Sequence, residues 1–364
     1  MAENTSWGIR VLLAEDSPTV RHYLTNLINE TPGFRVIGAA RDGEEALALV
    51  QELKPDVVSM DIRMPRMDGL EATRRIMAQC PTPVVVVSGL LESELELSFQ
   101  ALQAGALAVV EKPPDRRDPN FPEKQRQLIK TLMAMSSVKV IQRRELSFER
   151  ISGAPIPASL PALNTLKNRL TEGVRSAPEL IAIGASAGGP SALISLLNGL
   201  PRDFGLPIVV VQHIPNEFIN GLARWLRKST PFPLVVASDN LPLKPHTVYL
   251  SPGTAHLTIT RQLQGLTARL VKEQGAHRYQ PSVDMLFSSV AAACGAKGIG
   301  IILTGMGDDG AEGLLAMRRT GARTFAQDEA SSTVFGMPGA AIERGGVEHV
   351  LSLTMLATAI RNLM

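Results

Sequence analysis

Short apolar runs alternate with amphipathic segments over residues 9–138. Runs rich in β-branched residues, typical of buried parallel strands, are IRVLLAED, FRVIGAA, DVVSMD, PVVVVSG and AVVEKP. Apolar residues recur at helical spacing in GEEALALVQEL, GLEATRRIMAQ, ESELELSFQALQAG and FPEKQRQLIKTLMAMSSV. This alternation predicts a parallel sheet with helices on both faces, and we place this doubly wound α/β domain at residues 1–135.

A second alternation of the same kind begins near residue 177. ELIAIGAS, GGPSALISLLNGL, PIVVVQHI and FINGLARWLRKST predict two strand–helix units in succession. Residues 241–273 predict a β-hairpin, and a helix in SVDMLFSSVAAACG and a last clear strand in GIGIILTG follow it. We expect a Rossmann-like, doubly wound domain with a β-hairpin excursion at residues 177–364. A linker is expected at 136–176, where prolines and charge clusters interrupt the periodicity.

Composition narrows the classes of function. Of 364 residues, 45% are hydrophobic and 20% charged, which is ordinary for a globular protein. The 37 basic and 35 acidic residues nearly balance, so a nucleic-acid partner is not expected. Cys80 and Cys294 are too few for a disulfide framework, which indicates a reducing compartment. No run has the length of a signal-peptide core or a membrane span, so we expect a cytoplasmic protein without membrane insertion.

Polar side chains end four of the predicted strands in the first domain. Glu15 and Asp16 end the first strand, Asp61 the third, Ser88 the fourth and Lys112 the fifth. Because the carboxyl ends of parallel strands share one edge, these side chains should converge. Three close carboxylates require a cation, and Mg²⁺ suits them. The set predicts phosphoryl transfer onto Asp61, although a helix-cap or loop role is an equal alternative for any single residue.

A serine in the stretch IAIGASAGGP lies where a predicted strand meets a helix. Small neighbours of Ser186 allow a sharp turn, and the helix N-terminus offers free N–H groups that could stabilise an oxyanion. A serine nucleophile needs a base and an orienting carboxylate. His213 ends the next predicted strand, and Asp308 or Asp309 follows GIGIILTG. Each residue has a simpler interpretation as a cap, a packed loop residue or a turn.

Two other interpretations use the same glycines. A dinucleotide-binding loop requires G-x-G-x-x-G, and GASAGG lacks the first pair. An α/β-hydrolase nucleophile elbow fits G-x-S-x-G, but its partners follow in the order serine, acid, histidine, which would require His349. Because a strand-end histidine precedes the aspartates here, we favour the order Ser186, His213, Asp309.

The first domain resembles response-regulator receivers, through AED at the first strand end, MDIRMPRMDG around Asp61, VSG and EKP. This resemblance implies a flavodoxin-like fold with Asp61 as the phosphoacceptor. It also implies Mg²⁺ held by Glu15, Asp16 and Asp61, with Ser88 and Lys112 as the switch pair.

The second domain resembles the CheB-type chemotaxis protein-glutamate methylesterases. The motifs that carry this resemblance are GASAGGP, VVQHIP, SPGTAHL, QPSVDMLFSSVA, LTGMGDDGA and AQDEASSTVFGMPGAAI. It implies Ser186 as nucleophile, His213 as base and Asp309 as the orienting carboxylate. Met306 is implied at the oxyanion hole through its backbone N–H, and His256 near the site. No cofactor is implied in this domain.

Together the two resemblances imply a phosphorylation-activated enzyme of chemotactic adaptation. It would hydrolyse glutamate γ-methyl esters on the cytoplasmic helices of chemoreceptors, releasing methanol, and deamidate specific glutamines. A histidine kinase would be the phosphodonor, and the unphosphorylated receiver would block the catalytic edge. One departure is Val109, at a strand position where receivers usually carry an aromatic residue. The alternatives are a phosphorylation-dependent adaptor and a hydrolase acting on another protein.

Overall fold

The structure, a computed structural model, describes residues 8–89, 92–138, 140, 177–272 and 279–364. Side chains are described throughout, except at residues 92–96. The chain divides into two units. Of the predicted linker, residues 139 and 141–176 lie outside the described ranges, so the linker and both domain boundaries stay predictions. No described helix is long and apolar enough to cross a bilayer.

The first unit contains a parallel sheet with helices between its strands. The strands are β1 (Ile9–Ala14), β2 (Phe34–Ala40), β3 (Val57–Met60), β4 (Val84–Ser88) and β5 (Ala108–Glu111). The helices are α1 (Pro18–Asn29), α2 (Gly43–Leu53), α3 (Gly69–Gln79), α4 (Glu92–Gln103) and α5 (Phe121–Ser136). The strand order is β2-β1-β3-β4-β5. Since the order reverses between β1 and β3, the crevice for a ligand lies at the ends of these two strands.

The second unit contains a larger parallel sheet and a small antiparallel one. Its strands are β6 (Leu180–Ala185), β7 (Ile208–Gln212), β8 (Leu234–Val236), β9 (Leu241–Pro242), β10 (Val248–Leu250), β11 (His256–Gln262), β12 (Gly265–Val271), β13 (Gly298–Ile302), β14 (Arg323–Gln327) and β15 (His349–Leu351). The parallel sheet has the order β15-β14-β13-β6-β7-β10-β8, and the antiparallel sheet has the order β11-β12-β9.

Helices separate most strands of the parallel sheet along the chain. They are α6 (Gly189–Asn198), α7 (Asn216–Ser229), α8 (Val283–Cys294), α9 (Ala311–Arg319), α10 (Gly336–Glu343) and α11 (Leu353–Arg361). The core includes Phe287 and Val290 of α8, packed with Leu180 of β6. Gly184 lets α8 approach the sheet closely, because a Cβ there would lie 2.2 Å from Val283 Cγ1. The N-terminus of α8 is thereby held near the carboxyl end of β6.

The two-domain α/β prediction is confirmed, but several short strands differ from expectation. Residues 256–271 form the expected hairpin, whereas residues 248–250 form the parallel strand β10 between β7 and β8. The prediction that GIGIILTG is the last strand is also wrong, since β14 and β15 follow it. Strands of three residues are too short to show a period. In β14, the buried Arg323 resembles a surface residue in sequence but pairs with Glu348 at 3.1 Å.

Candidate active site

Three neighbouring strand ends carry the predicted catalytic residues of the second unit. Ser186 follows β6, His213 follows β7, and Asp309 lies in the turn after β13. The His213 N–H donates to Ala185 O at 2.9 Å, and the Ser186 N–H donates to Thr304 O at 3.0 Å. These backbone bonds place the three segments side by side at the carboxyl edge of the sheet.

Ser186 lies before helix α6 and does not cap it. The N-cap is Gly188, with φ +75°, and Pro190 lies in the first turn. The predicted alternative of an N-cap serine is therefore excluded. Gly305 packs directly against Ser186, because a Cβ at Gly305 would lie 2.8 Å from Ser186 Cβ. The half-exposed serine thus lies in a turn closed on one side by the loop after β13.

Asp309 is buried and accepts four hydrogen bonds. Its Oδ2 accepts from His213 Nε2 at 2.8 Å and from the Val283 N–H at 2.8 Å. Its Oδ1 accepts from Ser282 Oγ at 2.9 Å and from the Asp284 N–H at 3.0 Å. The carboxylate thus binds the first N–H groups of α8, where the helix dipole favours negative charge.

The protonation of this pair follows from its partners. Burial acts to raise the pKa of Asp309, but the hydrogen bond and charge of His213, together with the α8 N–H groups, outweigh burial and lower it. An ionised Asp309 can only accept, so the proton between the two side chains belongs to Nε2 of His213. In the neutral ring, Nδ1 therefore carries the lone pair that can accept a proton.

The neighbouring Asp308 has a different environment. Its Oδ2 accepts from Arg344 Nη2 at 3.0 Å, and its side chain is 44% exposed, against 2% for Asp309. The geometry supports Asp309 as the partner of His213.

Met306 and His256 differ in their hydrogen bonds. The Met306 N–H, next to Gly305 and Ser186, donates no hydrogen bond to any residue in the described ranges, which leaves it available to a ligand. His256 is buried and accepts from the Ser282 N–H through Nδ1 at 3.1 Å. It therefore supports the Ser282 cap behind Asp309.

Two residues that the sequence does not single out contact the site. The buried Gln212 donates through Nε2 to Ser186 O at 2.7 Å and to His213 O at 3.0 Å, so one amide joins both segments. The ring of Tyr279 stacks on His213 with centroids 5.3 Å apart. Gln212 could have been suspected from its place before His213 in VVQHIP, whereas Tyr279 carries no such signal.

The nucleophile-elbow order with His349 is wrong. His349 opens β15, at one end of the strand order β15-β14-β13-β6, and pairs with Phe325 of β14. Three strand spacings separate β15 from β6, or about 14 Å. The imidazole of His349 lies against Phe325 with ring centroids 5.5 Å apart.

The first unit brings its predicted site residues together at the ends of β1, β3, β4 and β5. Lys112 Nζ lies 2.9 Å from Glu15 Oε2 and 2.9 Å from Asp61 Oδ2. Ser88 is buried on the neighbouring strand, and its carbonyl accepts from the Lys112 N–H at 3.0 Å. Asp16 is exposed.

This acidic cluster has the chemistry of a site for a hard cation. Burial, then the charge of Asp61, raises the pKa of Glu15, and burial raises that of Asp61. Lys112 alone therefore does not compensate the buried carboxylates. Carboxylate oxygens of Glu15, Asp16 and Asp61 lie within 4.8 Å of one another, close enough to share one ion. These residues fit Mg²⁺, which prefers carboxylate and water oxygens.

Family models match both units of the chain. Residues 11–118 match the response regulator receiver domain, and residues 181–360 match CheB methylesterase. A protein-glutamate methylesterase/protein-glutamine glutaminase of Myxococcus xanthus is 44% identical over 352 residues, covering 97% of this chain and 96% of its own length. The chain belongs to the CheB methylesterase family. A second relative with that printed function, from Geobacter metallireducens, is 41% identical and covers 98% of this chain and 99% of its own length.

A solved member of the CheB methylesterase family has the fold of the second unit. The catalytic domain of the Thermotoga maritima CheB methylesterase is 34% identical, with a TM-score of 0.50. The match covers 52% of this chain and 100% of that domain. The predicted family and the hydrolase class are thus confirmed, and the roles of individual residues remain proposals.

The two adjacent aspartates allow a matched test of the orienting acid. We expect Asp309→Asn to lower kcat by about 10²- to 10⁴-fold, because the NH₂ group of asparagine is a hydrogen-bond donor and would face the N–H and O–H donors that now bind the Asp309 carboxylate. We expect Asp308→Asn to change kcat by no more than about 5-fold, since an exposed ion pair contributes little. Initial rates of ester hydrolysis, with circular dichroism to verify folding, provide the measurement. The reverse ranking would refute the choice of Asp309.

Proposed function

We propose that this chain is a phosphorylation-activated protein-glutamate methylesterase and protein-glutamine glutaminase. Its substrates are γ-methyl esters of glutamate and specific glutamines on the cytoplasmic helices of chemoreceptors, so that its action resets signalling in chemotaxis. The observation that carries this proposal is the hydrogen bond from His213 to the buried Asp309, one strand end away from Ser186. Membership of the CheB methylesterase family supports the substrate class.

The first half of the reaction forms an acyl-enzyme. Ser186 Oγ attacks the ester carbonyl carbon while Nδ1 of His213 takes the hydroxyl proton. The Met306 N–H stabilises the oxyanion that develops on the carbonyl oxygen. The carbon–oxygen bond to the methoxy group then breaks, and His213 returns the proton so that methanol leaves.

The second half releases the product. Water gives a proton to His213 and attacks the acyl carbon, and Ser186 leaves with that proton, so a glutamate side chain forms. Asp309 stays ionised throughout and compensates the positive charge of the imidazolium. A glutamine follows the same course with ammonia as the leaving group, which explains how one site serves both reactions.

The serine role is tested by substitution at Ser186. We expect Ser186→Ala to lower methanol release by about 10³-fold or more, because the substitution removes the attacking oxygen. The matched control is Ser195→Ala, which removes an exposed hydroxyl from helix α6, the helix that follows Ser186, and should leave the rate unchanged. Methanol released from methylated chemoreceptor membranes is the measured quantity. A folded Ser186→Ala variant that retains turnover would contradict the mechanism.

Control of the enzyme is proposed to act through Asp61. A carboxylate oxygen of Asp61 attacks the phosphorus of a phosphohistidine on a histidine kinase, the phosphorus–nitrogen bond breaks, and an acyl phosphate forms. Glu15, Asp16 and Asp61 would hold Mg²⁺, which would supply positive charge to neutralise the transferred oxygens. Lys112, which contacts Asp61, and Ser88 bind the phosphoryl group and report its presence. The hydrogen-bonded pair of His213 and Asp309 beside Ser186 favours a regulated enzyme over an adaptor, and we place that enzyme in the cytoplasm with its substrate helices.

Phosphorylation can be tested with a small phosphodonor and Mg²⁺. We expect the rate of methanol release from wild type to rise about 5- to 100-fold, the range of typical coupling between sites. Asp61→Asn should not respond, because it lacks the attacking carboxylate. Glu44→Gln, which removes an exposed acid from α2, should respond like wild type. An equal rise in Asp61→Asn would exclude control through this residue.

A further inference from the structure

We propose that Tyr279 is a positioning residue that fixes the ring plane of His213 during the reaction. This inference depends on the proposed roles of Ser186, His213 and Asp309. The rings of Tyr279 and His213 are nearly parallel, with an interplanar angle of 8° and centroids 5.3 Å apart. No family comparison or sequence motif assigns a role to Tyr279.

The contact supplies a restraint that Asp309 does not. The hydrogen bond from Nε2 of His213 to Asp309 anchors one corner of the imidazole at 2.8 Å. The χ2 torsion of histidine has a broad energy profile, so a ring anchored at one atom can still pivot about it. A flat surface against the ring restricts that pivot. Together the two contacts define where Nδ1 points.

The other end of the tyrosine contacts the loop that carries the oxyanion N–H. Gly307 follows Met306 and has φ +85°. A Cβ at Gly307 would lie 2.5 Å from Tyr279 Oη and 3.4 Å from Cζ. Tyr279 therefore extends from the base to the turn between Met306 and Asp309, and the glycine provides space for its hydroxyl end.

The ring face also favours the charge that forms during attack. His213 becomes an imidazolium when it takes the serine proton. An aromatic face within about 6 Å of a cation attracts it. Since this attraction exists only after proton transfer, it acts on the transition state more than on bound substrate. Tyr279 should therefore affect kcat and leave KM nearly unchanged.

Two substitutions separate the ring from the hydroxyl. We expect Tyr279→Leu to lower kcat by about 10²-fold, the loss that a small misplacement of a reacting group causes, with KM within about 2-fold of wild type. Tyr279→Phe keeps the ring face and should retain kcat within about 3-fold, equivalent to a loss of less than 1 kcal/mol. If Tyr279→Phe loses as much kcat as Tyr279→Leu, the hydroxyl is the important group and the proposal is wrong.

A spectroscopic measurement reports the ring contact without turnover. The chain has six histidines, so the His213 imidazole resonances can be assigned as those lost in His213→Gln. The ring current of a stacked aromatic shifts protons above its face upfield. We expect this shift in wild type and in Tyr279→Phe, and its loss in Tyr279→Leu. Equal chemical shifts in all three proteins would refute the contact.

A double-mutant cycle tests the contact at Gly307. Gly307→Ala introduces backbone strain in any background, but it collides with Oη only when Tyr279 is present. We therefore expect the fold-loss in kcat caused by Gly307→Ala to be at least about 3 times smaller in the Tyr279→Phe background than in wild type. Such a difference measures the coupling between two residues in contact. Equal losses in both backgrounds would show that Tyr279 does not transmit the disturbance.

These results distinguish the inference from the proposed function. Wild-type protein that neither releases methanol nor reacts with a serine-directed phosphonate overturns the proposed function, and the role of Tyr279 with it. If the wild-type protein is active and Tyr279→Leu has the same kcat, only the proposed role of Tyr279 is overturned. Three results together would establish the role of Tyr279. Tyr279→Leu would have a reduced kcat with an unchanged melting temperature, and it would lose the ring-current shift, whereas Tyr279→Phe would retain that shift.

Discussion

The buried carboxylate of Asp309 organises the second unit's site, since its four hydrogen bonds come from two separate parts of the chain. One oxygen binds both His213 and the first N–H of α8, and the other binds Ser282 and Asp284. The two buried donors, Ser282 Oγ and the Val283 N–H, would each cost about 1–3 kcal/mol if left unsatisfied. The position of α8 and the orientation of the His213 ring are therefore coupled through one side chain. Gly184 contributes by allowing α8 to lie close enough to the sheet.

The same residue type serves opposite purposes in the two units. Burial acts to raise the pKa of Asp309, but the hydrogen bond and charge of His213 and the N–H groups of α8 lower it, so the side chain remains a fixed negative charge. Asp61 lies with the buried Glu15, the exposed Asp16 and one lysine, and burial raises its pKa. The first environment is complete without any ligand, whereas the second is electrostatically incomplete until more positive charge is bound. A structural charge and a binding site can thus be recognised by whether the surrounding protein already compensates the carboxylate.

Most of the site could be predicted because its residues follow strongly patterned strands. Ser186, His213 and Asp61 each come directly after an apolar strand, and in each sheet the parallel strands bring their carboxyl ends to one edge. The adjacent aspartates could not be ranked by pattern alone, because only the fold shows which one faces α8. Tyr279 reaches His213 from 66 positions away in the chain, a separation at which periodicity carries no information. The short strands β8, β10 and β15 could not be predicted from the sequence for a related reason, since three residues do not define an alternation of apolar and polar positions.

The proposed use of Nδ1 as the proton acceptor has a consequence for how far His213 can reach. Nδ1 is bonded directly to the carbon that joins the imidazole to its side-chain methylene, whereas Nε2 lies one bond farther out. A histidine that accepts a proton through Nδ1 therefore has a short reach from its own backbone. It can serve only a nucleophile whose main chain runs very close to that of the histidine. Adjacent hydrogen-bonded strands, joined here from His213 N to Ala185 O at 2.9 Å, meet that requirement. Inserting a strand between β6 and β7 would leave all three side chains intact and yet move the serine out of range.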